Sequence, residues 1–348
     1  MQTSGKKDIR AFSKQELEAE FKALNEPAFK ARQVYEWLWK KSAHSFDEMT
    51  SLSKSLREVL SMAFTINHIK EHHVQHSNDG TIKSSFQLHD GHLIEGVLIP
   101  TDDRATACVS SQVGCSLSCK FCATGYMDRA RNLNADEIYD QVVLLNRQAL
   151  QTLGRPLTNI VFMGMGEPLL NYKNVIDAIA KITSEEGLHI SSKRITISTA
   201  GIAKMIRRMG EEKVKFNLAL SLHAADDEKR NTIMPINEQN NIDVLVDAVN
   251  FFHQETGNEI TFEYILLNGV NDGSEDAEQL AAICRRVPNI KVNIIEFNKI
   301  KEAAYSKTDK IRRDKFKDTL EKKRVVAHIR KSRGKDIDAA CGQLANKG

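Results

Sequence analysis

Several features that define other classes of protein are missing from this sequence of 348 residues. Proline is scarce, with 6 residues, and no low-complexity tract occurs, which argues against long disordered segments and collagen-like repeats. The first twenty residues lack the apolar core of a secretory signal, and no later apolar run approaches membrane-spanning length. We therefore expect a cytoplasmic globular protein with no membrane partner, built as one large domain with a small appendage.

The sequence also lacks a strong net charge, because 49 Lys and Arg residues nearly balance 46 Asp and Glu residues. This balance alone neither supports nor excludes a nucleic-acid partner. The cations are clustered, however, and such clusters either follow a phosphate backbone or form solvated helix faces. The clusters are Lys30/Arg32/Lys40/Lys41, Lys310/Arg312/Arg313/Lys315/Lys317, and Lys322/Lys323/Arg324 running on to Arg330/Lys331/Arg333/Lys335.

The amino-terminal part of the chain is predicted to be helical and then to change character. Apolar residues at helical spacing predict a small helical domain over residues 1–65, with an RNA contact as its expected role. Its helical segments are FSKQELEAEFKAL, FKARQVYEWLWKK and FDEMTSLSKSLREVL. Over residues 66–100, two strand-like runs flank the turn signal Asp90-Gly91 and end at Pro100, which predicts a β-hairpin-like linker.

Strand-like and helix-like segments alternate over residues 101–335, from ATACVSSQV to KVNIIEF and its following helix. Such alternation predicts parallel strands joined by helical crossovers, with VVAHIR as a further candidate strand. Six β/α units are too few to close an eight-unit barrel, so we predict an α/β fold with an open, partial (β/α)6 barrel. Functional groups should lie at the carboxyl ends of its strands, and residues 336–348 should form a carboxyl-terminal loop.

The segment CSLSCKFC gives Cys115, Cys119 and Cys122 a C-x3-C-x2-C spacing in a short loop. Cytoplasmic thiols are kept reduced, so cysteines so close together are metal or cluster ligands. Three thiolates on a cubane cluster leave one iron open, which S-adenosylmethionine (SAM) can chelate through its amino and carboxylate groups. The alternative is a zinc site with Cys108 as fourth ligand, but Cys108 lies in the preceding strand and structural zinc sites usually supply four paired ligands.

The sequence resembles the RlmN-type dual-specificity RNA adenine methyltransferases, which are radical SAM enzymes. The resemblance rests on the cysteine loop, with Phe121 just before its last ligand, and covers nearly the whole chain. The matching runs are, in order, DDRATACVSSQVGC, FMGMGEPLLN, RITISTAG, SLHA, MPIN and DIDAACGQL. It implies a radical SAM barrel and two cofactors, a 4Fe-4S cluster on the three loop cysteines and SAM.

The resemblance also implies contacts to SAM at the ends of successive predicted strands. Taken alone, these residues would be strand-end caps or turn residues. They are Gly166, Glu167, Ser198, Ser221, Leu222, His223 and Asn298. Cys284 has no such role, because it shares an apolar helix stripe with Leu280, Ile283 and Val287, which predicts a core residue.

Three further residues receive catalytic roles from the resemblance. Cys341, in a short Gly-bounded segment beyond the last predicted strand, would carry the methyl group, and Cys108 would be the second catalytic thiol. Glu95, an acid inside the apolar run LIEGVLIP, would accept a proton. The residues alone leave other interpretations open, since isolated cysteines are often buried hydrophobes and Glu95 could face solvent from a strand.

The implied reaction is the methylation of adenine C2. A ring C–H carbon has no nucleophilic lone pair, so radical chemistry must replace polar methyl transfer. Cys341 takes a methyl group from one SAM, and a 5′-deoxyadenosyl radical from a second SAM removes hydrogen from that methyl group. The methylene radical adds to C2, and Cys108 or Glu95 removes the ring proton. Cys108 then attacks the Cys341 sulfur, which releases the product and leaves a disulfide for cellular reductants.

The family's substrates are an adenosine at the peptidyl-transferase centre of 23S rRNA and the tRNA adenosine 3′ of the anticodon. Such a base must be unstacked to enter a cavity. We expect a monomer, and flavodoxin as electron donor. Two alternatives stay open: Cfr-type methylation of adenine C8, against which Pro168 in GEPLLN argues, and a non-enzymatic zinc-dependent RNA-binding protein.

Overall fold

The structure, a computed structural model, describes residues 6–346. The strands are β1 (Lys7–Asp8), β2 (Phe64–Thr65), β3 (Lys70–His76), β4 (Ile82–Gln87), β5 (Leu93–Pro100), β6 (Ala105–Cys108), β7 (Gln112–Val113), β8 (Arg131–Asn132), β9 (Asn159–Phe162), β10 (Ile195–Thr199), β11 (Asn217–Ser221), β12 (Ile260–Leu266), β13 (Lys291–Glu296) and β14 (Val326–Arg330). The helices are α1 (Lys14–Ala23), α2 (Ala28–Trp39), α3 (Lys54–Ala63), α4 (Ala135–Leu153), α5 (Tyr172–Thr183), α6 (Ala203–Glu211), α7 (Asp227–Ile233), α8 (Ile242–Thr256), α9 (Ser274–Cys284) and α10 (Lys310–Lys322).

The amino-terminal region is helical, with one difference from the prediction. Helix α1 begins after Ser13, whose hydroxyl accepts the N–H of Glu16 while the Glu16 carboxylate accepts the N–H of Ser13. The third predicted helix is shorter than its sequence pattern, because residues 46–48 form a separate 3-10 turn. Helix α3 starts only after Ser53, whose hydroxyl caps the N–H of Leu56.

A buried arginine holds the helical region against the rest of the chain. Arg10 is 5% exposed, and its guanidinium donates to the two carboxylate oxygens of Asp140 at 2.9 and 3.1 Å. Asp136 lies 3.0 Å from the same guanidinium. A bidentate pair of this kind fixes both distance and orientation, so it sets the position of the amino-terminal region on α4.

Residues 70–100 form the edge of the main sheet rather than a separate linker. The sheet has ten strands in the order β14-β13-β12-β11-β10-β9-β6-β5-β4-β3, in which β3, β4 and β5 are antiparallel. The predicted turn at Asp90-Gly91 is present, with φ of +88° at Gly91. Strand β3 was not predicted, because KEHHVQH is polar on both faces and mostly exposed and so shows no alternation.

Seven parallel strands, β6 and β9 to β14, confirm the predicted open barrel, and VVAHIR does form its last strand. Crossover helices cover these strands, whose central residues are buried. Cys284 is 3% exposed and lies in the core on α9, as predicted. Helix α7, between β11 and α8, was not predicted. Within residues 6–346, no helix is both long and apolar enough to cross a membrane.

Candidate active site

A cavity of about 240 Å³ lies at the carboxyl ends of the parallel strands. Its walls come from the loop after β6, the ends of β9 to β12, and the segment that follows β14. Ends of parallel strands are where α/β folds usually carry functional groups. The predicted site residues that line it are Cys108, Cys115, Cys119, Cys122, Gly166, Glu167, Ser198, Ser221, His223 and Cys341.

The three closely spaced cysteines lie on one tight loop between β7 and β8. Ser118 adopts φ of 52°, and the N–H of Cys122 donates to the carbonyl oxygen of Cys119 at 3.2 Å. A Cβ at Gly125 would lie 2.5 Å from that same carbonyl oxygen, so only glycine lets the loop fold back on itself. The backbone thus turns all three thiols towards one cavity.

The electrostatics of these thiols fit a cluster. Burial raises the pKa of each thiol, to about 11 for Cys115, and the charges of Cys122 and Cys115 raise the pKa of Cys119 further. Three mutually repelling thiolates need a bound cation to be stable. In the described part of the chain, no three His, Cys, Asp or Glu side chains converge on a point where one metal ion could bind. A cubane cluster fits three cysteines better than zinc, because structural zinc sites usually supply four protein ligands whereas a cluster can be held by three.

Gly166 and Glu167 form the turn after β9. Gly166 has φ of +94°, and a Cβ there would lie 2.4 Å from the Cβ of Gln112, so the close approach to the loop after β6 requires glycine. The Glu167 carboxylate accepts the N–H of Leu169 at 3.0 Å and the N–H of Ala200 at 2.8 Å. Burial raises the pKa of Glu167 while these hydrogen bonds lower it. Glu167 therefore ties the end of β9 to the end of β10.

Ser198, Ser221 and His223 continue the wall along the next two strands. The hydroxyl oxygens of Ser198 and Ser221 are 3.4 Å apart. His223 adopts φ of 58°, its Nδ1 accepts the N–H of Ile265 at 3.1 Å, and its ring packs edge-on against Phe121. Burial and the nearby charge of Arg230 lower the pKa of His223 to about 3, so this imidazole is neutral.

Two predicted SAM contacts, Leu222 and Asn298, do not line the cavity. Leu222 is fully buried, and its carbonyl oxygen accepts the Nε–H of Arg230 at 2.8 Å. Arg230 is also buried and donates to the carbonyl oxygens of Ala200 and Ser221, so it fixes the ends of β10 and β11. Asn298 donates from Nδ2 to the carbonyl oxygen of Cys341 at 3.2 Å. Its observed contact is thus to the carboxyl-terminal segment.

Cys108 and Cys341 also line this cavity. Cys108 is the last residue of β6 and is buried, whereas Cys341 is exposed towards the cavity. Burial, followed by the negative charge of Cys341, raises the pKa of Cys108 to about 12. Burial also raises the pKa of Cys341, while the charge of Arg330 lowers it. All six cysteines are free, so the structure has both thiols in the reduced state.

Hydrogen bonds to the cluster loop hold the segment that carries Cys341. The N–H of Ala123 donates to the carbonyl oxygen of Gly342 at 2.7 Å, and the hydroxyl of Thr124 donates to that of Leu344 at 2.6 Å. Gly342 has φ of +82° and approaches the carbonyl of Phe121. Cys341 is therefore placed by direct contact with the loop that bears the cluster cysteines.

Glu95 is buried beneath this segment and does not line the cavity. One carboxylate oxygen lies 3.4 Å from Nζ of Lys83, which is also buried, and the other accepts the N–H groups of Ala345 and Asn346 at 2.9 and 3.2 Å. The open interpretation of Glu95 as a solvent-facing residue is wrong. Its observed contacts anchor the carboxyl-terminal segment.

Besides Glu167, a second carboxylate lines the cavity, and it was not identified from the sequence. Glu263 on β12 is buried, accepts a hydrogen bond from Nδ2 of Asn293 at 2.6 Å, and has its pKa raised by burial. An acid inside the apolar strand ITFEYILL is the same signal that drew attention to Glu95. Arg330, Lys331 and Arg333 also line the cavity, and their sequence cluster had marked them only as candidate phosphate ligands.

Comparisons with protein families agree with this geometry. The model of the Radical SAM superfamily matches residues 109–281, which include the cluster loop and strands β9 to β12 of the barrel. The model of the ribosomal RNA large subunit methyltransferase N-terminal domain matches residues 7–66.

Individual relatives match over nearly the full length. The probable dual-specificity RNA methyltransferase RlmN of Cytophaga hutchinsonii is 62% identical over 98% of this chain and 93% of its own length. The corresponding protein of Flavobacterium johnsoniae is 51% identical over 98% of each. The crystal structure of a radical SAM methyltransferase from Sphaerobacter thermophilus superimposes with a TM-score of 0.91 at 40% identity, covering 97% of this chain and 99% of that one.

Proposed function

This chain belongs to the RlmN family of radical SAM methyltransferases, and we propose that it methylates C2 of an unstacked adenine in RNA through an S-methylcysteine on Cys341. Like its family, it uses a 4Fe-4S cluster and SAM. The observation that supports the proposal most is the shared cavity, in which Cys341 and Cys108 lie with the three loop cysteines. The relatives' names give RNA as the substrate and the amino-terminal family model gives ribosomal RNA. The resemblance of the sequence motifs adds transfer RNA as the second proposed substrate.

The cofactor-holding residues follow from the cavity wall. Cys115, Cys119 and Cys122 would ligate the cluster, which leaves one iron for SAM. The wall beside bound SAM would consist of Gly166, Glu167, Ser198, Ser221 and His223. Leu222 and Asn298 lie outside this wall and would act by positioning its residues and the carboxyl-terminal segment. When bound, the cluster and SAM supply the methyl group and the one-electron chemistry that makes its carbon reactive.

Cys341 has the properties required of a methyl carrier. Its thiol faces the cavity, and Asn298 and the cluster loop hold its backbone in place. Its thiolate sulfur takes the methyl carbon of SAM, whose bond to the sulfonium breaks with release of S-adenosylhomocysteine. After one hydrogen atom is removed from that S-methyl group, its carbon forms a bond to adenine C2. Protein and RNA are covalently joined at this stage, so release of the product requires a second nucleophile.

Cys108 is the proposed second nucleophile. Its sulfur attacks the sulfur of Cys341, so that an S–S bond forms while the bond from Cys341 to the product carbon breaks. The electron pair of the broken bond passes to the methyl carbon, which takes up a proton. Both thiols are oxidised in this step, and a cellular thiol must reduce the resulting disulfide before the next turnover.

Cys108 is also the better candidate for removing the C2 proton. The carboxylate of Glu95 is occupied by Lys83 and two N–H groups and lies outside the cavity wall. Methylation of Cys341 would remove the negative charge that helps to raise the pKa of Cys108, which favours the Cys108 thiolate, the form that can accept a proton. We therefore assign Glu95 an anchoring role.

The position of the new methyl group tests the proposal. Enzyme with reconstituted cluster is incubated with SAM, a reductant and 23S rRNA or tRNA fragments, and the digested RNA is analysed by mass spectrometry against 2-methyladenosine and 8-methyladenosine standards. Methyl on C2 supports the proposal. Methyl on C8 would instead assign Cfr-type regiospecificity, and no methylated adenine would contradict both.

A further inference from the structure

Three cations that line the cavity form no ion pair with any carboxylate of residues 6–346. Arg330, Lys331 and Arg333 line the cavity wall together with Cys341. No Asp or Glu oxygen among residues 6–346 lies within 4.0 Å of their charged nitrogens. Cations that face a cavity without a partner are available to bind an anion.

Neighbouring cations on the same side of the barrel behave differently. Nitrogens of Lys307, Arg313 and Lys335 all lie within 3.2 Å of the Glu296 carboxylate. Arg312 lies 2.9 Å from Asp272. Arg312, Arg313 and Lys335 belong to the lysine- and arginine-rich clusters, yet each of them is paired with a carboxylate within the protein. Ion pairing thus offsets part of the positive charge of these stretches, while Arg330, Lys331 and Arg333 keep theirs beside the cavity.

The amino-terminal cluster is also largely paired. Lys30 lies 2.7 Å from Glu26, and Lys41 lies over the ring of Trp37 and 4.0 Å from Glu36. Arg32 lies 3.8 Å from Glu18. Exposed pairs of this kind are weak, but they lower the net positive charge that the helical region presents.

The three unpaired cations are held at a fixed position relative to Cys341. The chain turns at Gly334, which has φ of +66° and would place a Cβ 2.6 Å from the Cβ of Ala339. The N–H of Gly334 donates to Asp79, and Asp336 accepts hydrogen bonds from Ser77 and Asn78. These bonds fasten the segment between the cations and the thiol to the turn between β3 and β4. The backbone between these cations and Cys341 is thus fixed, while the side chains of Arg330 and Lys331 are exposed.

We propose that Arg330, Lys331 and Arg333 form a rim that binds the phosphates flanking the target nucleotide and seats its adenine against Cys341. The inference rests on the proposed function, in which RNA is the substrate. Arginine and lysine are the usual ligands of nucleic-acid phosphates, and such contacts set orientation rather than sequence preference. Sequence preference would come from the fit of the flipped base inside the cavity.

The test measures RNA binding separately from catalysis. A triple variant, R330Q/K331Q/R333Q, and a matched control, K307Q/K335Q, are compared with the wild-type holoenzyme. Each is titrated with a short RNA stem-loop that carries one unpaired adenine, at several KCl concentrations, and SAM affinity is measured in parallel. The triple variant should bind RNA roughly tenfold or more weakly, with the slope of log K against log salt reduced by about 2, or about 0.7 per lost contact. The control should keep the wild-type slope.

Two results would contradict the proposal that Arg330, Lys331 and Arg333 bind RNA phosphates. One is an unchanged RNA affinity and salt slope in the triple variant. The other is a loss of SAM affinity in that variant, which would show that these cations serve the SAM carboxylate instead. If the triple variant does not fold, the R330Q and K331Q single variants give the same measurement, each with a slope reduced by about 0.7. Mapping the methyl group in wild-type product tests the proposed function on its own, so the two failures can be told apart.

Discussion

The cluster loop and the carboxyl-terminal segment both bring cysteine to the same cavity, but by different means. The cluster loop places Cys115, Cys119 and Cys122 through local turns, in which Ser118 and Gly125 adopt the required backbone. The carboxyl-terminal segment places Cys341 through hydrogen bonds to residues about 220 to 250 positions earlier in the chain. One arrangement is encoded in the spacing of neighbouring residues and the other in distant contacts.

The two regions should therefore be sensitive to different substitutions. Changes in the loop should act on the ligands themselves. Changes around the segment should act on its position while leaving the cluster in place. The experiments below separate these two kinds of failure.

The largest effect is expected from the cluster ligands. Replacing any of Cys115, Cys119 or Cys122 by Ala should remove bound iron and abolish SAM cleavage, because two thiolates cannot retain the cluster. Iron content and reductive SAM cleavage are the measurements. Cys284→Ala is the control, since Cys284 lies in the core on α9, and it should keep its iron with a stability loss of about 1 kcal/mol. Full iron in all three ligand variants would refute the assignment.

The two catalytic thiols should fail at different stages. Cys341→Ala should keep the cluster but yield neither methylated protein nor product. Cys108→Ala keeps the methyl carrier but loses the thiol that resolves the adduct, so RNA should accumulate covalently attached to protein. A band that shifts on denaturing gel electrophoresis and collapses with ribonuclease would report it. Normal turnover by the Cys108 variant, or product from the Cys341 variant, would contradict the methylene-transfer mechanism.

Substitution of Glu95 tests the long-range contacts, because its carboxylate accepts two N–H groups of the carboxyl-terminal segment. Glu95→Leu leaves Lys83 buried without its partner and removes the acceptor of two N–H groups, which should cost about 3–5 kcal/mol in the free energy of unfolding. Thermal unfolding and proteolysis near residue 345 measure the effect. Replacing both members, as Glu95→Leu with Lys83→Met, should recover much of the stability. If Glu95→Gln instead keeps the segment in place and stalls at the adduct, Glu95 is a proton acceptor.

A single hydrogen bond should give the smallest effect. Thr124→Val removes the bond from the Thr124 hydroxyl to the carbonyl oxygen of Leu344, which should cost about 1 kcal/mol. Local opening of the segment would then be roughly fivefold more frequent, and hydrogen exchange of the Ala345 and Asn346 amides, which donate to Glu95, should become faster by about the same factor. Thr232→Val is the matched control, because its hydroxyl bonds only within α7. Equal rates in both variants would mean that this bond does not hold the segment.

Much of the fold was predictable because it depends on local patterns. Alternating apolar strands and amphipathic helices specify the parallel barrel, and the Asp90-Gly91 turn specifies the β4–β5 hairpin. Strand β3 escaped prediction because it is paired by its neighbour rather than marked by apolar alternation. Its place at the sheet edge follows from backbone hydrogen bonding, which leaves no pattern in the side chains.

The barrel and the family were predicted correctly from the amino-acid order alone, and the cluster ligands were proposed from it, since each depends on residues that are close along the chain or on motifs in a fixed order. The three-dimensional packing was needed to show that Cys108 and Cys341 line one cavity and that Glu95 contacts a segment outside the cavity wall. It was also needed to show that, within residues 6–346, Lys335 pairs with Glu296 whereas Arg330, Lys331 and Arg333 have no carboxylate within 4.0 Å. These features could not be predicted from the sequence because burial and ion pairing depend on which distant elements pack together. The identity of a side chain does not show which distant residue it contacts.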